Sequence, residues 1–195
     1  DNISSISFDS LHFFQVQNLV EEIDAKSVKI KKSDVTVNLI LPKTYEEYLE
    51  SLTKKNRHEL RRKKRKFDNE TSSYELGESK EQDIFDIFIS QHRESKGEKG
   101  EFMTEVVATF FRSLLNLQGW KIYYTNTDKG VLSTAFCYEN DDGCYLYNSS
   151  RNNEFNSINP GIVLNVLIIQ QLIDRGMGFF DFLKVTERYK FDLCG

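Results

Sequence analysis

Near the end of the chain Glu187, Arg188, Tyr189 and Lys190 stand in one run. A carboxylate or a proton-relaying phenol can serve a reacting amine, and an ammonium can hold a phosphate or a developing oxyanion. A solvated charge pair ending a sheet is the other reading of the same residues. Extended backbone would put Glu187 and Tyr189 on one face and Lys190 on the other. Upstream, Asn159-Pro160-Gly161 opens an apolar stretch, with Asn as a favoured N-cap and Pro as a favoured first helical residue. Helix starts present free N–H groups to phosphates, and Gly161 allows close backbone approach. Pro160 brings no N–H, and an ordinary capped helix start fits equally. Asp181 interrupts the apolar run at 179–183; it anchors a substrate amine or is held by neighbouring backbone N–H groups. His92 is either a base near neutral pH or a packed core residue, and Arg93 can clamp an anion. Tyr145, Tyr147 and Ser149 alternate along a β-favouring run, which predicts one shared face or core packing by the tyrosines.

These groups need elements to position them. Aromatics over 7–14 suggest a strand and 18–25 a short helix. Residues 34–41 alternate Val35, Val37 and Leu39 as a strand that Pro42 ends. Thr44 starts a helix, with Glu47 as capping-box partner. The stripe Tyr45, Tyr48, Leu49, Leu52, Leu60 and Phe67 carries that helix on as a single element. A strand over 74–76, a helix over 82–95, a loop at 97–100 and a helix over 104–117 follow. Three strands, 120–126, 131–139 and 144–150, are joined by turns ending in Gly130 and Gly143. A helix over 160–175 and strands over 179–183 and 189–194 complete the order. The predicted class is α/β (mixed α+β): a mainly antiparallel twisted sheet flanked by helices, with one crossover permitted after Ser150.

Composition narrows the function classes. The 195 residues are 39% hydrophobic with two prolines, enough for a core and unlike a disordered chain. No apolar run reaches the roughly 20 residues that span a bilayer. Asp1 in place of Met suggests a piece of a longer protein. Cys137, Cys144 and Cys194 are an odd number without metal spacing, which points to a reducing, cytoplasmic setting. No P-loop, dinucleotide fingerprint, metal cluster or nucleophile elbow is present. Net charge is −4, split as +4 over residues 1–66 and −8 over the rest. Nine Lys/Arg crowd residues 54–66, more than a helix dipole requires; solvation, packing between domains, an anionic membrane surface, an acidic partner and RNA phosphates all accommodate them.

Three ordered segments carry a family likeness. They are Leu52-Thr53-Lys54-Lys55-Asn56-Arg57 with Arg61-Arg62; His92-Arg93-Glu94-Ser95-Lys96-Gly97 with Gly100-Glu101-Phe102; and Pro160-Gly161, Gly176, Phe180-Asp181-Phe182-Leu183, Glu187 and Tyr189-Lys190. The set resembles the FemAB-like, CelD-type (cellulose-biosynthesis-type) acetyltransferases of the GNAT acyltransferase superfamily. The chain departs from that pattern at Lys184-Val185-Thr186, where the family commonly has a basic residue and then Gly. The resemblance implies a GNAT fold and N-acyl transfer from acetyl-CoA or another acyl-CoA, with no metal. It implies Lys190, Glu187, Tyr189 and His92 as catalytic residues. It places the donor against Tyr147, Ser149, Asn159 and Gly161, and the acceptor near Arg93 and Asp181. The acceptor would be a small-molecule or cell-envelope amine. Such proteins commonly have two tandem domains, so 1–41 is read as the tail of a first GNAT-like domain, 42–70 as a linking basic helix and 71–195 as the acyltransferase domain. The resemblance also admits an aminoacyl-tRNA donor held through the 54–66 helix, or a degenerate domain used for assembly.

Overall fold

The computed structural model describes residues 13–23, 28–31, 36–184 and 187–195. In chain order the elements are α1 (Phe13–Glu22), β1 (Thr36–Ile40), α2 (Tyr45–Ser51), α3 (Lys54–Glu70), β2 (Tyr74–Ser79), α4 (Gln82–Arg93), α5 (Glu98–Phe102), α6 (Glu105–Leu115), β3 (Trp120–Thr127), β4 (Gly130–Glu139) and β5 (Gly143–Arg151). A 3₁₀ turn (Asn153–Ile158), α7 (Pro160–Asp174), β6 (Phe179–Lys184) and α8 (Arg188–Asp192) follow. The strand expected at 7–14 lies mostly outside the described residues, and Phe13 already begins α1. Val185 and Thr186, where the chain departs from the family pattern, also lie outside them.

Six strands form one sheet in the order β1-β6-β5-β4-β3-β2. Every pair is antiparallel except β5 and β6, which α7 joins as a parallel crossover. The sheet is therefore mixed and mainly antiparallel, flanked by helices, as the sequence predicts. Period-two alternation sorts β4: Ala135 and Cys137 enter the core beneath α7, and Phe136 enters the one beneath α4 and α6. Val163, Leu164, Val166, Ile168, Ile169, Leu172 and Ile173 are all buried, so α7 is apolar almost all round, as an interior helix must be. β1, read from sequence with the preceding segment, is hydrogen-bonded to β6 at the sheet edge, and Val37 and Leu39 enter the α7-side core.

Three expectations are corrected. The single long helix is two. Leu52 is extended and 3% exposed, and the Thr53 side chain accepts the Asn56 N–H at 3.2 Å to start α3 afresh. Arg57 Nη1 donates to the Leu49 carbonyl at 3.2 Å and ties the two helices together. Thr44 and Glu47 do form the expected capping box on α2. Thr53→Ala should cost about 1 kcal/mol by loss of this cap, read as a lowered melting temperature with an unchanged sheet signal. The loop at 97–100 is part of α5. The strand at 189–194 is α8: β6, the strand before it, already has β1 and β5 as neighbours and offers it no free edge. As a helix the segment turns Tyr189 and Leu193, four residues apart, to the core, while Phe191 stays exposed.

Candidate functional site

β5 and β6 pair only from Gly143 to Tyr145 against Phe179 to Asp181, although β5 continues to Arg151 and β6 to Lys184. Beyond that point the two strands part and leave a wedge. Irregularities in both strands accompany the parting. β5 carries a bulge at Tyr147, because Cys137 faces Leu146 and Phe136 faces Asn148. β6 bends at Leu183, which has φ 53°. The buried Asp181 holds that bend through Oδ1, which accepts the Leu183 N–H at 2.7 Å.

α8 bridges the wedge. Ser149 of β5 and Asn165 of α7 lie close to the Tyr189 hydroxyl, and both favour its ionised form. Burial first, then the Glu187 charge, pushes this phenol up to about 12, against the lowering effect of those two residues and of Arg151. Lys190 is buried; its Nζ donates to the Phe182 carbonyl of β6 at 3.3 Å and pairs with Glu187 Oε2 at 3.1 Å. Glu187 is exposed at the N-cap of α8. The expected division of Glu187 and Tyr189 from Lys190 by strand alternation gives way to one helical turn.

The bulge also overturns the shared face predicted for Tyr145, Tyr147 and Ser149. An extra residue reverses the alternation beyond it. Tyr147 packs against Trp120 and Phe111 on the α6 side, with ring centroids 5.2 and 5.5 Å apart, whereas Ser149 reaches Tyr189 on the α7 side. Asn148 Oδ1 lies 3.0 Å from His92 Nε2. His92 is 1% exposed, and burial lowers its pKa despite the Asn148 bond, so the imidazole is neutral near pH 7.

Asn159 is the N-cap of α7 and Pro160 follows it in the first turn, as expected, but Asn159 is left-handed with φ 57° and its side chain makes no capping bond. Its carbonyl accepts the N–H groups of Ile162 and Val163 at 3.1 and 3.2 Å. A Cβ on Gly161 would meet only Arg151 Cδ, at 3.8 Å, an ordinary contact. Gly161→Ala should therefore leave the melting temperature unchanged or raised by a degree or two, while weakening any ligand that lies against this turn. Thermal melts beside ligand titration check both halves.

A sequence profile of the acetyltransferase (GNAT) domain matches residues 54–191. The chain belongs to the GNAT acetyltransferase domain family. No curated protein matches it significantly. The structure of FemX superposes with TM-score 0.67 and 11% identity, over 95% of this chain and 66% of that one. A conserved protein of unknown function from Bacteroides thetaiotaomicron VPI-5482 superposes with TM-score 0.59 and 12% identity, over 94% and 64%. The chain thus spans just under two thirds of the length of these two structures, and at such identities they speak to the fold alone.

The GNAT fold brings Tyr189, Lys190, Glu187 and Ser149 together at the wedge, with Asn165 beneath. Arg93 is engaged elsewhere: its guanidinium donates to the Met103 carbonyl at 3.0 Å and pairs with Glu105 at 2.8 Å, beside an open hollow lined by Asp86, Ile89, Ser90 and Glu94. Asp181 shows the backbone-holding contact that was one of its two readings. Lys99, Arg151 and Asn165 are site neighbours that the sequence reading did not single out. On α3, Glu59 pairs with Arg62 and Lys63, and Lys64 with Asp68. Lys54, Lys55, Arg61, Arg65 and Lys66 are exposed. Among the described residues no His/Cys/Asp/Glu group could hold a metal, and no helix is long and apolar enough to cross a membrane.

Proposed function

We infer that this GNAT domain transfers an acyl group from an acyl-CoA to an amine on a small molecule or a cell-envelope precursor, in the cytoplasm. The carrying observation is the wedge between β5 and β6, bridged by Tyr189 to one strand and by Lys190 to the other. Parted strands leave backbone N–H and C=O groups available to the amide-containing arm of the donor, and a backbone N–H aimed at the thioester oxygen stabilises the tetrahedral intermediate. His92, neutral at physiological pH, is the proposed acceptor of the amine proton. Attack forms the C–N bond. Collapse breaks the C–S bond, and the departing thiolate takes the proton of Tyr189, which bulk solvent restores. Glu187 positions Lys190, and Lys190 steadies the end of β6. Asn159 and Gly161 border the donor's phosphates, with Tyr147 beside its acyl arm. Arg93 and Asp181 are less well placed for the acceptor, because both already hold protein groups. Calorimetry of the intact protein with acetyl-CoA and with CoA tests the reading. Binding of both at micromolar levels is expected, and no binding of either sinks it.

The exposed cations of α3 favour a second reading, an aminoacyl-tRNA donor with a peptidoglycan-type acceptor. The FemAB-like resemblance supplies the precedent. tRNA affinity should then fall steeply with salt, and a salt-insensitive or absent interaction removes this reading.

A further inference from the structure

The bulge at Tyr147 decides where Asn148 points. Leu146 enters the α7-side core, and plain alternation would send Asn148 there too. The extra residue sets Asn148 opposite Phe136 instead, on the α4 side and within reach of His92. Its Oδ1 meets two groups there. It accepts the Ser149 backbone N–H at 2.7 Å and lies 3.0 Å from His92 Nε2. A backbone N–H can only donate, so the atom it meets is the amide oxygen and not the amide nitrogen. An amide oxygen can only accept, so the hydrogen between it and the imidazole belongs to Nε2.

A neutral imidazole carries one N–H. With it on Nε2, Nδ1 keeps a bare lone pair. That nitrogen is buried and has no hydrogen-bond partner among the described residues. The rings of Phe88 and Phe102 flank the imidazole, with centroids 5.8 and 5.9 Å away. Phe102 belongs to α5 and is itself exposed, so on that side one side chain separates His92 from solvent. Burial keeps the ring neutral against the Asn148 bond, and the Lys99 charge adds to the lowering. Among the described residues Lys99 of α5 is the charged group that acts on the ring; none on β5 or on α4 itself does. The Lys99 backbone favours the protonated ring, as a nearby carbonyl does, so an imidazolium formed here has support from α5.

We propose that Asn148 is a positioning residue that fixes His92 as its Nε2–H tautomer and leaves Nδ1 as the atom that takes the proton of the attacking amine. The imidazolium then releases that proton to solvent. The tautomer follows from the hydrogen bonds; the task given to Nδ1 rests on the acyl-transfer reading.

Proton–nitrogen correlation spectra of the imidazoles in the intact protein test the tautomer. The chain has three histidines, and His12→Gln and His58→Gln identify the His92 signals. Neutral His92 should show a protonated Nε2 and a bare Nδ1 in the parent protein. Asn148→Ala should show a mixture of both tautomers. Asn148→Asp should keep the parent pattern, because a carboxylate still accepts from Nε2, and should raise the His92 midpoint, because its charge favours the imidazolium. Thiol release from acetyl-CoA with a mixture of primary amines gives the rate. Asn148→Ala should lower kcat about tenfold, the worth of one hydrogen bond, with KM for acetyl-CoA unchanged. Asn148→Asp should restore the rate and move the acid fall of the pH profile upward, a shift that a merely structural Asn148 would not produce. If Asn148→Ala does not fold, the parent spectrum and Asn148→Asp carry the test. A proton on Nδ1 of the neutral parent ring, or one tautomer shared by parent and Asn148→Ala, overturns the proposal. The expected spectra with an unchanged kcat in Asn148→Ala overturn the task of Nδ1. The expected spectra with no binding of acetyl-CoA or CoA keep the tautomer and remove the acyl-CoA reading, and that task with it.

Discussion

Tyr189→Phe should lower the rate of acyl transfer at least about a hundredfold, within the range of a lost general acid, and leave the melting temperature within a few degrees. The substitution keeps the ring and removes the hydroxyl that lies beside Ser149 and Asn165. A phenol pushed up to about 12 stays protonated throughout the working range, so it can give a proton to a departing thiolate but cannot take one from an amine. The loss should therefore fall on kcat, with KM for the donor nearly unchanged, because the missing group acts in the transition state. The parent rate should show no alkaline fall from this phenol before the pH nears 12. Equal kcat in parent and variant, measured beside matching melts, would reduce Tyr189 to a prop of the wedge.

Glu139→Gln should destabilise the fold by about 2–3 kcal/mol, below the ~3–5 kcal/mol of a fully buried partner because Arg175 stays 40% exposed and can hydrate. Glu139 is 9% exposed at the far end of β4 and accepts hydrogen bonds from the Tyr123 hydroxyl and Arg175, with Lys121 3.4 Å away. Burial raises its pKa, and the Tyr123 and Arg175 bonds with the Lys121 charge outweigh that, so the net shift is downward. A carboxyl with a lowered folded-state pKa binds protons more readily when unfolded. Its contribution is full above the ordinary carboxylate value and disappears as pH falls through the folded one. The parent protein should lose stability over that acid window, and Glu139→Gln should flatten the loss. Identical acid profiles in urea unfolding would show that the network carries no such contribution.

Local grammar was legible in the chain and register was not. The capping box at Thr44 and Glu47, the two Gly-ended turns and the mostly apolar α7 each depend on neighbours within a few residues. They yielded the element order and, with the three quoted segments, the GNAT fold. The break at Thr53 was hidden because the apolar stripe continues past it, and only the cap bond reveals that Thr53 begins a new helix. Tyr189, Phe191 and Leu193 alternate as a strand does; α8 forms because β6, the strand before it, offers no free edge. The Tyr147 bulge puts Ser149 on the face opposite Tyr147, and bulges carry no reliable signal in one strand read alone. Lys99 could not have been placed near His92 from sequence, since the turn of α5 that carries it looked like a glycine loop. Asn165 carried a weak clue, as an amide within the apolar run 162–169 of α7.

The position of β6 in the sheet has a consequence for how the chain acquires its shape. Ile40 pairs with Phe179, so the first of the described strands is matched by the last of them. During synthesis β3, β4 and β5 can zip as successive hairpins and β2 joins them across α4, α5 and α6, but among the described strands β1 has no partner until β6 has emerged. Closing so long a loop is slow, and until it closes β1 and β5 are both open edges available to other chains. The wedge cannot exist before that closure, because β6 is one of its two walls. Assembly of the site therefore follows the pairing of β2 to β5, and a refolding experiment should show Tyr189 becoming protected only after those strands are in place.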